Sequence, residues 1–392
     1  MTQKLNKVVF LELAYHNEVL RTYVHHFLPI VDQVIIFTNS FNERQSESWR
    51  NNPKLEWRVK RDEEEVQTFL QTQFLTLGCE DLIVVITWPE QKWDVSSLVY
   101  PCEVWSVVHN IHQTFARPFS HFYLGIDWWK DALKIGRHII FQMGKSRREA
   151  ILKSDKIVFP TPSMSKYYKQ YFVQKKFENP IIIPFCLNEG IRKKPNDDVF
   201  RIIVPGNITQ YARDYRMLST VFEQVFYHAN RKIELVLLGK IKDSTGKTSI
   251  KQLEKINNSN FQLTYFNSFV PQVKFDEILS SGDILLAPLN QKTKSGVFTE
   301  NYGFSTETGN IADMVRYGLP GILPDFYPVE DCLEPMIKRY HSEESLTQCI
   351  LDWMDINTED FRKNHDSSLH YFSVEKISLR ILDQWKEHKT KI

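Results

Sequence analysis

Short apolar, β-branched runs separated by helical segments recur along this 392-residue chain, and the recurrence starts again near its middle. In the first half, residues 8–13, 34–38, 82–87, 104–108 and 156–159 read as buried strands. A strand that is apolar on both faces needs cover on both sides, so such runs alternating with helices predict a parallel sheet between two helical layers. The pattern restarts at residues 200–204 and continues through 234–238, 261–266, 284–287 and 321–323. One hydrophobic core rarely serves a chain of this length, so the expected fold is α/β with two doubly wound, Rossmann-like domains in tandem. Between them IIIPFCLNEGIRKKPNDD passes from an apolar strand to a polar, charged, proline-bearing segment, which places a linker near residues 186–198. The expected division is residues 1–188, residues 189–370, and a terminal amphipathic helix over 371–392 that packs back toward the first domain. Ligands of such units gather at the carboxyl ends of the strands, in the cleft between the domains.

Composition removes several classes of function. The formal net charge is +1, which argues against a nucleic-acid binder driven by bulk charge. Five cysteines (Cys79, Cys102, Cys186, Cys332, Cys349) lack CxxC or Cys/His ligand spacing, so neither a disulfide framework nor a zinc site is indicated and a reducing compartment is expected. The basic N-terminus leads into an apolar run broken by Glu12, His16 and Glu18, a first strand rather than a signal peptide. No run reaches the ~20 apolar residues of a spanning helix, so the expected location is cytoplasmic, soluble or peripheral on the inner face of a membrane. The first βα turn carries Tyr15, His16 and Asn17 in place of a GxGxxG fingerprint, which disfavours nicotinamide and flavin enzymes. No DxD metal motif is present, and the adjacent Asp197 and Asp198 read as solvated charge.

The stretch ETGNIADMVRYGLPGILP, residues 307–324, carries the sharpest chemical signal. Gly309 and Asn310 precede apolar residues at helical spacing, Ile311, Met314 and Val315, with Asn310 as the expected N-cap and Gly318 as the stop. A helix amino terminus preceded by a loop without bulky side chains presents N–H groups and the positive dipole end to phosphate oxygens. The competing reading is an ordinary capped helix, with Asp313 the acidic half of a capping-box-like pair.

Four further segments stand in order with it: VWSVVHNIH (104–112), ILKSDKIVFPTPSMSKYY (151–168), FRIIVPGNITQYARDYRML (200–218) and FDEILSSGDILLAPL (275–289). Together the five resemble the GT-B glycosyltransferases, in particular the retaining, family-4-like group of bacterial polysaccharide and lipid-linked sugar transferases. The resemblance spans roughly residues 100–375, and the first hundred residues match only in pattern. It implies a hexosyl transfer from a nucleotide-diphosphate sugar, held by the second domain, to a glycan or lipid-linked acceptor held by the first. Retention, and the use of cations and helix N–H groups in place of a metal or other cofactor, follow from the same resemblance.

By that resemblance His109 and Glu307 are the catalytic candidates. The donor side takes Gly206, Asn207, Arg213, Arg216, Gly239, Ser305, Thr308, Gly309, Asn310 and Asp313. His16, Asn17 and His112 fall on the acceptor side. The chain departs from the family in four places: Asp313 and Ser305 stand where glutamates are usual, with Glu307 and Glu300 nearby, Asn207 replaces an arginine, and Arg213 is the nearest substitute for a lysine. The basic segment GKSRREAILK, with Lys145, Arg147 and Arg148, reads either as a contact with anionic membrane or as a solvated helix face. Trp105, Trp128 and Trp129 read as sugar-stacking or core aromatics. Two other functions share the fold class, a sugar-nucleotide epimerase and a non-catalytic nucleotide-binding scaffold.

Overall fold

The computed structural model describes residues 5–79, 81–89, 94–95, 98–116, 120–125, 128–190, 195, 197–229, 231–256, 260–357, 360–361 and 365–389. Of the expected linker, residues 191–194 and 196 lie outside that set. The chain divides into two compact units. The first comprises Met1–Phe185, Ser295–Glu300 and Val374–Ile392, and the second Cys186–Lys294 and Asn301–Ser373.

Among the described residues the first unit holds a seven-stranded parallel sheet: β1 (Leu5–Glu12), β2 (Val31–Asn39), β3 (Leu55–Lys60), β4 (Leu82–Thr87), β5 (Glu103–Val107), β6 (Lys156–Phe159) and β7 (Ile181–Ile182), in the order β3-β2-β1-β4-β5-β6-β7. Side chains of β1 alternate between two apolar clusters, Val9 and Leu11 entering one with Ile35 and Phe37, Val8 and Phe10 the other with Val34 and Ile36. This is the period of two that a sheet covered on both faces requires. The terminal helix Val374–Lys389 sends Ile377, Ile381, Leu382 and Trp385 into the second of these clusters. Each such side chain contributes about 1.5–3 kcal/mol when fully buried. Ser378 Oγ donates to His26 O, and Gln384 pairs with the backbone of Ile182.

The second unit repeats the plan with β8 (Val199–Pro205), β9 (Lys232–Lys240), β10 (Phe261–Phe266), β11 (Ile284–Leu286), β14 (Gly321–Pro324) and β15 (Ile337–Tyr340), all parallel, in the order β10-β9-β8-β11-β14-β15. A separate two-stranded pair, β12 (Lys292–Ser295) and β13 (Phe298–Asn301), interrupts the sequence. In both sheets the strand order reverses beside the first strand, between β1 and β4 and between β8 and β11. Those are the switch points at which open α/β sheets receive ligands.

The apolar runs expected as strands all form strands. The sequence reading passed over β3, β15 and the β12–β13 pair. In β3 Leu55, Trp57 and Val59 alternate with Glu56, Arg58 and Lys60, and every residue is half-buried. It is an edge strand, so it has no continuous apolar run to announce it. The edge strand β15, IKRY, is mixed for the same reason.

Candidate functional site

In the second unit the chain leaves β8 and turns at Gly206, whose φ is +99°. That left-handed φ favours glycine, and a Cβ there would lie 2.3 Å from Arg213 Nη2 and push the guanidinium aside. Gly239 serves the same loop from below. A Cβ on it would meet the Gly206 carbonyl oxygen at 2.2 Å, so Gly239 supports the turn and does not face a ligand. Arg213 is 8% exposed; its Nη1 donates to Asn207 O at 3.4 Å and its Nη2 to Asn310 Oδ1 at 3.3 Å.

Asn310 is not the N-cap of the helix Gly309–Tyr317, contrary to the sequence expectation. Thr308 holds that position in extended conformation (φ −101°, ψ 140°), its Oγ1 accepting from Asn310 N at 3.4 Å. Asn310 already lies in the first turn, and its amide is engaged elsewhere. Oδ1 accepts from Thr308 Oγ1 at 2.8 Å as well as from Arg213, and Nδ2 donates to Pro205 O at 3.4 Å. These bonds tie the helix to the end of β8. Gly318, left-handed at φ +60°, ends the helix as expected.

These elements enclose a cavity of about 450 Å³ lined by Gly206, Asn207, Arg213, Gly309, Asn310 and Asp313 among the expected donor residues. Nothing lies within 4 Å of the point where a Gly309 Cβ would stand, so the helix amino terminus is open at that residue. Two cations absent from the sequence reading complete the lining, Lys242 just past β9 and Lys294 on β12. Neither sits in a recognisable motif. The nearest sequence signal for Lys242 is its neighbour Asp243, which caps the next helix by accepting from Gly246 N at 2.7 Å.

Other expected donor residues fall elsewhere. Arg216, whose side chain is 75% exposed, forks onto Asp214 at 3.0 Å and does not line the cavity. Ser305 is buried in a turn, its hydroxyl accepting from Asn301 N at 2.7 Å. Thr308 acts through its cap. Glu307 is sealed away from the cavity, with Tyr327 Oη donating to its Oε1 at 2.6 Å. Burial, reinforced by Glu330 and opposed by the Tyr327 hydrogen bond, raises the Glu307 carboxyl to about 8, so it is mostly protonated at neutral pH.

In the first unit the switch point gathers Glu12 from the end of β1, Thr87 from the end of β4 and His109 just past β5. His109 Nε2 lies 2.9 Å from Ile86 O. A carbonyl only accepts, so Nε2 carries the proton and Nδ1 keeps its lone pair. The ring stacks on His16, centroids 4.3 Å apart at 17°, with Phe185 at 5.2 Å. Burial, then the adjacent His16, pushes His109 well below the usual imidazole value, and burial with the charge of Arg147 lowers His16 to about 4. Both rings are neutral at physiological pH. Glu12 is fully buried and accepts from Ala14 N at 2.6 Å; burial, opposed by hydrogen bonds from Thr87 and the backbone of Ala14 and His16, raises it to about 7.

His112 and Asn17 do not join this cluster. His112 bridges Thr299 O at 2.6 Å through Nδ1 and Tyr167 Oη at 2.9 Å through Nε2. Burial lowers its pKa to about 4, so its 3.5 Å approach to Glu300 is not an ion pair. Asn17 Oδ1 accepts from Ser46 Oγ at 2.9 Å. Arg147 is half-buried and near enough to act on both imidazoles electrostatically, and Arg148 donates to Ala116 O at 3.3 Å.

No protein-family model matches the sequence, and no curated protein matches it. Solved structures do resemble it in shape. HepE (Alr3699) of Anabaena, solved with UDP, aligns with a TM-score of 0.57 at 10% identity, covering 97% of this chain and 100% of that one. The pneumococcal O-GlcNAc transferase GtfA, solved with UDP and GlcNAc, gives 0.56 at 10% identity over 98% and 99% of the two chains. The N-terminal domain of Candida albicans trehalose-6-phosphate phosphatase gives 0.55 at 10% identity over 99% and 98%. Likeness at this identity establishes fold: the chain has the GT-B architecture of two Rossmann-like α/β domains.

Proposed function

We propose that the protein is a glycosyltransferase that takes a nucleotide-diphosphate sugar in its second unit and a glycan or lipid-linked acceptor in its first. The observation that carries this reading is the second unit's cavity, where an open helix amino terminus meets Arg213, Lys242 and Lys294. N–H groups and three cations supply the charge complement that a departing diphosphate needs, without calling on a metal. Asp313, on the second turn of the same helix, offers acceptor oxygens to the donor's ribose hydroxyls. In the first unit the unprotonated Nδ1 of neutral His109, which is half-buried, is the group suited to receive the acceptor's proton, with the fully buried Glu12 near it at the same strand ends. Retention, and the family-4-like grouping, belong to this proposal and rest on the sequence resemblance. Glu307, expected as catalytic, is assigned a positioning role: its carboxyl holds Tyr327 beneath the loop leading into the helix. A lipid-linked acceptor would bring the protein to a bilayer, and of the three cations expected to meet one Lys145 is exposed while Arg147 and Arg148 are half-buried.

UDP is the first nucleotide to test, because the HepE and GtfA structures were solved with it. A ligand at 100 times its Kd stabilises the folded state by about 2.7 kcal/mol, an easily read rise in melting temperature. Stabilisation by one of UDP, GDP, dTDP or CDP in the presence of a chelator, followed by sugar transfer from the matching donor, is the expected result. No stabilisation by any of the four overturns the donor site. The sealing of Glu307 favours one competing reading, a protein that binds nucleotide without transfer, and stabilisation with no transfer to any acceptor would select it.

A further inference from the structure

Eight of the nineteen exposed large apolar side chains among the described residues fall within residues 124–143. Scattered exposed apolar residues are ordinary on soluble proteins, but a cluster of this density is not. Most of it lies on the helix Trp128–Ile140, of the first unit. At 3.6 residues per turn Trp129, Leu133, Gly136 and Ile140 share one stripe, and Lys130, Lys134 and Arg137 share the stripe beside it. Leu133 is 63% and Ile140 75% exposed, and Phe141 and Met143 carry the apolar surface past the helix end. The opposite side is fastened down: Asp131, 7% exposed, accepts from Gly125 N at 2.9 Å, and the His138 ring meets Phe298 edge-on at 5.4 Å. A cavity of about 340 Å³ lined by Lys134, Arg137 and His138 opens beside the cationic stripe.

We propose that this helix is an interfacial anchor that lies in the surface of an anionic bilayer, its apolar stripe in the acyl boundary and its cationic stripe among the headgroup phosphates. The order of the stripes, apolar, then cationic, then buried, is that of a helix lying along a polar–apolar boundary rather than of a helix awaiting another protein's apolar groove. Charge complementarity commits it to an anionic surface: no acidic residue of the helix is exposed, since its one acid, Asp131, is turned inward. Paired tryptophans at its start are the side chains most at home at that depth. No helix of the described residues is long and apolar enough to cross a membrane, so this would be contact along the surface. The inference stands on the first unit alone and does not depend on the donor site.

The test is co-sedimentation of the full chain with vesicles of phosphatidylcholine alone and of phosphatidylcholine with about 30% phosphatidylglycerol, physiological in charge density. The expected result is at least tenfold tighter binding to the anionic vesicles, with a blue shift of tryptophan emission. Lys134→Glu with Arg137→Glu should abolish the preference for anionic vesicles, and Leu133→Glu with Ile140→Glu should weaken binding to both at least tenfold. All these positions are exposed or at the cavity rim, and unchanged melting temperatures of the variants would show that they fold. Wild-type failure to sediment with anionic vesicles, or equal sedimentation of wild type and Leu133→Glu/Ile140→Glu, overturns the proposal. So does a wild-type dimer that Leu133→Glu dissociates, which would assign the stripe to a second copy of the chain.

Discussion

The two switch points of this molecule share a topology and differ in charge. At the first, β1, β4 and β5 deliver a carboxyl raised to about 7, two neutral stacked imidazoles and one arginine beside them. At the second, β8 and the helix Gly309–Tyr317 deliver a glycine turn, an open helix terminus and three cations. The same strand order therefore carries a buried, largely neutral cluster in one unit and a cationic one in the other, which the proposed function reads as a site for moving a proton and a site for holding a polyanion. The difference comes from a handful of residues just past the strand ends, because the sheets themselves are apolar and interchangeable.

The largest expected effect strikes the second site alone. Gly239→Ala forces a Cβ to 2.2 Å from the Gly206 carbonyl and should destabilise the second unit by about 3 kcal/mol or more, with loss of nucleotide binding, read by denaturant unfolding and calorimetry. Retained binding would show that the turn is not needed. The next effect is one of pH. Glu307 has a folded pKa of about 8 against an ordinary 4.5, so the folded chain holds a proton that the unfolded chain releases. Stability must fall as pH rises across that window, at up to about 1.4 kcal/mol per unit from this group. Glu307→Gln should remove that share of the slope in melting temperatures taken from pH 5 to 8.5, and an unchanged slope would refute the sealed, neutral carboxyl. The first unit's His16, lowered to about 4, works in the opposite sense and loses stability as pH falls from 6.5.

Arg213→Ala should weaken nucleoside diphosphate binding by about 10- to 100-fold, from loss of a charge-assisted donor, while His109→Gln leaves that affinity unchanged and lowers sugar transfer. Equal effects of the two variants on nucleotide affinity would erase the proposed division of labour. Smallest of all, Arg216→Ala should change neither nucleotide affinity nor stability by more than about 0.5 kcal/mol, because its ion pair with Asp214 is exposed.

Much of this organisation is legible in the sequence. The buried strands announce themselves because a strand covered on both faces must be apolar throughout, and Gly318 announces a helix end because a left-handed residue is needed there. The Gly206 to Arg213 segment and the Gly309 to Asp313 segment were both legible as donor-side candidates, and one cavity holds them. The illegible parts have separate causes. Edge strands β3 and β15 carry mixed residues because one side meets no neighbour. Thr308, not Asn310, became the cap because Asn310's amide found partners about a hundred residues away, at Pro205 and Arg213.

By itself, then, the sequence determined the elements, since periodicity, caps and stops act within a turn or two of the chain. Only tertiary structure decided which polar groups meet. It brought Lys242 and Lys294 to the helix terminus, set Arg147 within electrostatic reach of His16 and His109, and left Arg216 and Glu307 off the cavity lining. The reason is physical: those meetings depend on strand order in the sheet and on the burial that follows from it, and neither is written in the spacing of neighbouring residues.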